Sequence, residues 1–444
     1  MWVLSTNLMA KRRFARDFIG VLNSNVFSIL CGVLVVILLT RILGVDGFGL
    51  YYALLVIPLI VVSFTHLGIR GASIFMIGQK KYTDDEIVSS VLFILIFTGI
   101  IGIISSIGAY SLFYEPEYTI ILVSLVVIII PFRLGIIYIG GIFLGKDEIK
   151  EANRFEWAIN LINLLLAIVL VWYFKTGLLG AIISLTAANI LVGFWALYRV
   201  SIKFKIRLVY IPAIVKQLLK LGIMFAFTFF VIQLNYRVDI LLLEKLSTIH
   251  EVGIYSLGIH IAEQLWQIPF AISIVLFSRT ANIKDQSLMT ESTVSLARLS
   301  FVLIFVLSLI AILIAPYFIP LVFGIDFTAS VEILQFILPG VIILVIFRVI
   351  SGQLAGMGKP QLAVYVFLPA LIINVILNFF LIPKYGGKGA AIASNISYTL
   401  GTLGYWIIYT KVVKISFFEI LRFKKSDARI FIELKNKIIN KWNN

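Results

Sequence analysis

Arg133 and Arg348 each stand inside a long apolar run, directly after a phenylalanine. A charged side chain at the centre of hydrocarbon costs at least about 2.5–3.5 kcal/mol on insertion scales, so it normally faces a cavity or a partner. Lys146 and Lys359 close the two runs. Counted back at 1.5 Å per residue, Arg133 lies about 20 Å and Arg348 about 16 Å from the membrane edge. Guanidinium is planar, permanently charged and matched to phosphate oxygens, so two of them facing one cleft would attract phosphate or pyrophosphate. A second group carries Gln233, Tyr236, Arg237 and Asp239 in one run and Ser256, His260, Glu263, Gln264 and Gln267 in the next. The spacing 256, 260, 263/264, 267 makes a polar stripe at helical period, suited to lining a water-filled cavity. Arg237 and Asp239, two residues apart, point to different faces of their own helix, so they do not pair with each other. Glu263 and Asp239 are the acids well inside apolar runs and the candidates for proton or cation coupling, since burial favours the neutral carboxyl. Shorter polar stripes, Glu156-Asn160-Asn163 and Asn374-Asn378, fit hydrogen bonding between helices.

The elements that position these residues follow from composition. The chain has 444 residues, 61% hydrophobic and 13% charged, with a mean hydropathy of +1.07. Soluble chains average roughly 25% charged and 45–50% apolar residues, so this one has too little polar surface to face water. Twelve apolar stretches are long enough to cross a bilayer as helices, roughly 17–40, 48–68, 87–113, 118–145, 154–174, 177–198, 218–243, 251–278, 295–315, 331–357, 361–382 and 389–412. With the N-terminus cytoplasmic, 29 Lys and Arg fall in cytoplasmic segments, Arg70, Lys80 and Lys81 among them, against 5 in outer loops. That bias predicts both termini inside and an even number of spans. It also explains the net charge of +15 without nucleic acid as a partner. Lys11, Arg12, Arg13 and Arg16 precede the first stretch, which is too long for the core of a cleavable signal.

The two halves echo one another. Arg41 to Tyr51 and Lys245 to Tyr255 share a base followed ten residues on by Gly-x-Tyr, at an offset of 204. Leu144-Gly145-Lys146 recurs as Met357-Gly358-Lys359, and Gly177-x-x-Gly180-Ala181 as Gly386-x-x-Gly389-Ala390. Span n thus pairs with span n+6, which predicts two parallel halves related by a pseudo-twofold along the membrane normal, with a site between them. Pro58, Pro131, Pro269 and Pro339 lie inside spans and permit bends. The expected organisation is a basic N-tail (1–16), an N-lobe (17–198), a basic cytoplasmic linker (199–217), a C-lobe (218–412) and a basic amphipathic tail (413–444) on the cytoplasmic leaflet. The single cysteine, Cys31, excludes an intrachain disulfide. Metal-ligand spacings, phosphate-binding loops and catalytic triads are missing, and no large outer loop could hold an active site, so a transporter without cofactor is expected rather than an enzyme.

Thr40-Arg41-Ile-Leu-Gly44 with Phe48-Gly49-Leu-Tyr51, the echo Val252-Gly253-Ile-Tyr255, Gly356-Met357-Gly358-Lys359 and Gly386-Gly387-Lys388-Gly389-Ala390 resemble the bacterial polysaccharide flippases. These belong to the multidrug/oligosaccharidyl-lipid/polysaccharide exporter superfamily. The resemblance implies an all-α membrane protein of two six-helix lobes in a V around a central cavity, working by alternating access in the inner membrane of a bacterium or archaeon. It implies an undecaprenyl-pyrophosphate-linked glycan as cargo, carried to the outer leaflet for surface polysaccharide such as O-antigen. Membrane lipid and other polysaccharide assembly proteins are the implied partners. Arg133 and Arg348 match the cationic cavity residues of such proteins by position, with Arg237, His260, Gln264 and Gln267 as further cavity residues. A cation-coupled multidrug exporter of the same superfamily is the alternative, with Glu263 as its coupling residue. Peptidoglycan-precursor flippases carry two more helices than the twelve expected here.

Overall fold

Hydrocarbon offers no partner to a backbone amide, so a chain of this composition satisfies its backbone within helices. The computed structural model describes residues 2–113, 115–146, 148–207, 210–282 and 286–423. Side chains before residue 27 and everything from 424 on, and with them most of the expected amphipathic tail, lie outside the described residues. All regular structure described is helical. The helices are α1 (Trp2–Thr65), α2 (Ile69–Gln79), α3 (Asp84–Leu112), α4 (Ile120–Val127), α5 (Ile129–Gly145), α6 (Ile149–Ala167) and α7 (Gly177–Lys203). There follow α8 (Pro212–Leu246), α9 (Ile249–Gln264), α10 (Gln267–Asn282), α11 (Gln286–Phe323), α12 (Ser330–Gly356) and α13 (Val364–Val413). Among the described residues nine helical stretches are long and apolar enough to cross a membrane, ten when α9 and α10 count as one bent span. Two of the nine, Phe27–Gln79 and Pro360–Val413, run 53 and 54 residues. At 1.5 Å per residue each is about 80 Å long, more than twice the roughly 30 Å hydrocarbon core.

Each of these long stretches is broken at a glycine with left-handed φ, Gly44 at 67° and Gly386 at 55°. The sequence echoes have backbone counterparts. Gly44 breaks α1 in the first copy, and α8 gives way to α9 at Ser247–Thr248 in the second. Gly177, the counterpart of Gly386, also has a left-handed φ, 61°. Helices α5 and α12 both end at their echoed Gly-Lys segments.

Helix α3 shows how the elements pack. A capping box, Thr83 with Glu86, starts it. It buries Ser90, Thr98, Gly102, Ser106 and Tyr110 and exposes Ile96, Phe97, Ile100, Ile101, Ile104 and Ile107. The first half also buries Ile87, Val88, Val91, Leu92 and Ile94, but from Ile96 on small and weakly polar residues face its neighbours and large apolar side chains face outward, the pattern of helices packed in lipid.

The chain forms two compact units, residues 1–254 with 319–328 and residues 255–318 with 329–444. Within the first, the two copies of the 204-offset echo meet directly. A Cβ on Gly49 would stand 2.8 Å from the Gly253 nitrogen, and one on Gly253 would stand 2.9 Å from Val45 Cγ1. Asp46 Oδ1 lies 2.8 Å from Nδ1 of His250, its own counterpart. Residues 45 and 49 of one copy thus lie against residues 249 and 253 of the other. Gly49→Val and Gly253→Val are each expected to destabilise the protein by about 2 kcal/mol or more, because backbone lies where the side chain must go. Gly108→Ala, where a Cβ meets open space, should leave stability unchanged or raised. The midpoint of thermal unfolding in detergent checks all three.

Candidate functional site

In the first unit, α2, α5 and α6 converge on a charged cluster. Arg133 occupies the second turn of α5, and its Nη1 lies 3.1 Å from Oε2 of Glu156 on α6. Both side chains keep about a third or more of their surface accessible, 34% and 41%. Arg70, in the first turn of α2, interacts electrostatically with both of them. It reaches them because α2 crosses α5 at Gly141, where a Cβ would stand 2.9 Å from the Arg70 Cα. The chain before α2 is fixed by two left-handed residues, Leu67 and Gly68, and by a 2.8 Å hydrogen bond that the Gly68 amide donates to Nδ1 of His66.

Arg70 therefore belongs to a helix, α2, within the apolar stretch Phe27–Gln79, where the sequence suggested a segment between spans. It lies ten residues before Lys80, about 15 Å away along the helix at helical rise. The sequence ends the preceding span at 68, just before Arg70 and Gly71, and groups Arg70 with Lys80 and Lys81. The cluster pairs one guanidinium with the carboxylate and holds a second, that of Arg70, within electrostatic range of both. Its excess positive charge and ten potential N–H donors suit an anion with several oxygens.

In the second unit, Arg348 of α12 lies over the ring of Trp266, with Cζ 5.0 Å from the centroid, a cation–π contact. Trp266 stands at the break between α9 and α10, which are bent by 48°, and packs edge-on against Tyr398. The expected continuous span 251–278 is thus a broken one. Pro269, the third residue of α10, has no N–H for the carbonyl of Leu265, which frees the backbone to turn there. The break separates the polar stripe. His260 and Gln264 stay together on α9, where Gln264 Nε2 donates to the His260 carbonyl at 3.2 Å. Glu263 is half-buried beside them, while Gln267 is exposed on α10 beyond the bend. Arg237, half-buried, and Asp239, fully buried, lie on α8 in the first unit. The asparagines bind between helices: Ser184 Oγ donates to Asn163 at 2.9 Å, and Asn374 Nδ2 donates to Ser394 at 3.3 Å.

The sequence and the fold have known relatives. Residues 14–279 match the family of polysaccharide biosynthesis proteins. The chain belongs to that family. An uncharacterized membrane protein of Methanocaldococcus jannaschii is 25% identical over 432 residues, covering 92% of this chain and 98% of its own. The capsular polysaccharide biosynthesis protein CapF of Staphylococcus aureus is 23% identical over 402 residues, covering 88% and 97%. Among solved structures, lipid II flippase MurJ in an inward closed conformation superposes with a TM-score of 0.71 at 17% identity, covering 91% of this chain and 89% of that one. An inward-facing multidrug resistance MATE family transporter of the MOP superfamily also reaches 0.71, at 14% identity, covering 87% and 94%. The chain is a multi-pass membrane protein with the fold of MOP-superfamily transporters.

Glu156 competes with any anion for Arg133 and Arg70. Glu156→Gln is expected to tighten binding of inorganic pyrophosphate to the detergent-solubilised protein two- to fivefold, the factor for a half-exposed ion pair of up to about 1 kcal/mol. Isothermal titration calorimetry on both proteins measures the change.

Proposed function

We propose that this protein is a flippase that carries undecaprenyl-pyrophosphate-linked oligosaccharide repeat units from the cytoplasmic to the outer leaflet by alternating access, for surface polysaccharide synthesis. The observation that carries the reading is the ion pair of Arg133 with Glu156 between apolar helices, with Arg70 in electrostatic range of both. A pyrophosphate brings the several oxygens that two guanidiniums can bind, and Glu156 neutralises part of the charge when cargo is absent. Membership of the polysaccharide biosynthesis family and the likeness to CapF support a glycan on the lipid. The fold shared with lipid II flippase MurJ supports a lipid-linked substrate.

The working arrangement we propose has twelve spans, reached by dividing Phe27–Gln79 and Pro360–Val413 in two and counting the bent pair once. Two six-helix lobes related by a pseudo-twofold then enclose a central cavity. Both termini are cytoplasmic, by the bias of Lys and Arg, and the membrane is the cell membrane of a bacterium or archaeon. Arg348, with Trp266 behind it, supplies the second lobe's cation, and Arg237, His260, Gln264 and Gln267 line the path. Asp239 and Glu263 are the proposed ion-coupling acids. The alternative of a cation-coupled multidrug exporter draws on the MATE-family neighbour and on Glu263.

Translocation of a fluorescent lipid-linked oligosaccharide in proteoliposomes distinguishes the two. Arg70→Ala, Arg133→Ala and Arg348→Ala are each expected to slow it about tenfold or more, the loss of one or two charge-assisted hydrogen bonds. Lysine at the same positions should restore part of the rate, since the charge returns without the planar fork. Wild-type rates in all three alanine variants would exclude the arginine site. Drug efflux abolished by Glu263→Gln, with no lipid translocation, would establish the exporter instead.

A further inference from the structure

Glu244 lies in the last turn of α8, at the end away from the basic 199–217 segment, and is 6% exposed. Its Oε1 accepts a hydrogen bond from the Tyr118 hydroxyl, in the turn between α3 and α4. Its Oε2 is buried and finds no hydrogen-bond partner among the described residues. The next residue, Lys245, pairs with Glu115 of the same turn at 2.6 Å. Tyr110 packs edge-on against Tyr118 and donates to the Leu54 carbonyl of α1, closing the site from the third side. The turn is thus clasped to α8 by two neighbouring links, one enclosed and one exposed.

The repeat offers an internal comparison. At the 204 offset, the counterpart of Lys245 is Arg41, which donates to the carbonyls of Leu321 and Val322 at the end of α11. The counterpart of Glu244 is Thr40, also buried, whose hydroxyl donates to the Ile37 carbonyl at 3.0 Å. Both copies clasp a neighbouring helix end, but Glu244 gives one of the two clasps a group that titrates.

We propose that Glu244 is a proton-binding site. With a proton on Oε2, the enclosed carboxyl is neutral and Oε1 still accepts from Tyr118. The anion would instead leave a charged oxygen buried without a partner, a heavily penalised state. Losing the proton to bulk water therefore requires the turn to part from α8 and admit water to Oε2, and regaining it closes the clasp. The charged groups facing the site are Glu115 and Glu117 on the turn, which disfavour a further negative charge, and Lys245, which is held by Glu115 at the surface. Among the described residues, Tyr110 and Tyr118 are the other titratable side chains around it. A hard metal cation fits poorly: it takes about six oxygen ligands, and here it would find one carboxylate and a phenol whose proton is already given to Oε1. The site is independent of what cargo the protein carries.

The test uses the full chain in nanodiscs. Infrared spectroscopy across a pH series should show a protonated-carboxyl C=O band that titrates and is lost in Glu244→Gln. Tyr118→Phe, which removes a donor to the carboxylate, should move the band's midpoint upward by about one pH unit. Hydrogen–deuterium exchange, corrected for the intrinsic pH effect, should rise with pH in the turn bearing Glu115 and Tyr118, and Glu244→Gln should abolish the rise. A band unchanged by Glu244→Gln, an unshifted midpoint in Tyr118→Phe, or an exchange response equal in wild type and Glu244→Gln would overturn the proposal. Replacing choline chloride with sodium chloride at fixed pH should leave the band intact; its loss would overturn the proposal in favour of a metal cation. If Glu244→Gln does not fold, the midpoint shift in Tyr118→Phe decides alone.

Discussion

The constraint on which this structure depends is that hydrocarbon supplies no hydrogen-bond partners. Every interruption of a helix and every charge must therefore be answered by another part of the chain. Where α11 ends, its last carbonyls are met by Arg41 from α1. Where the chain leaves α13, Arg298 of α11 donates to the carbonyls of Glu419 and Arg422, and Trp406 donates to that of Phe417. These are the orphan groups of helix and turn ends, satisfied here by side chains. The same rule gives Arg133 its carboxylate and Tyr118 its acceptor.

Because lipid is as apolar as leucine, helix association rests on close approach and on a few polar contacts. The first unit uses both. Gly141 lets α2 lie against α5 and so carries Arg70 to Arg133 and Glu156. Gly49 and Gly253 let the two echo copies touch backbone to backbone. The position of the charged cluster is thus a consequence of where the glycines are. A larger residue at Gly141 would displace Arg70 without touching any charge.

The echo between halves is visible as matched backbone events. Chain breaks recur at Gly44 and at Ser247–Thr248, and left-handed glycines recur at Gly177 and Gly386. Side-chain chemistry at matched positions has diverged. Arg41 caps carbonyls where Lys245 pairs with a carboxylate, and Thr40 stands opposite Glu244. A repeated scaffold can keep its geometry while one copy alone becomes sensitive to protons, since the break recurs at Gly44 and at Ser247–Thr248 while the titration depends on a single side chain.

The sequence by itself determined that this is a helical membrane protein, that its helices break near the echoed glycines, and that Arg133 and Arg348 are exceptional. Hydropathy, helical period and left-handed turns are local properties, set within a few residues of each position. Tertiary structure decided who answers each charge. It assigned Glu156 to Arg133, added Arg70, set Trp266 behind Arg348, split the 256–267 stripe at a bend and enclosed Glu244 against Tyr118. Those choices depend on how neighbouring helices are rotated and where they cross. Contacts between residues many tens of positions apart fix both, and no window along the chain contains them.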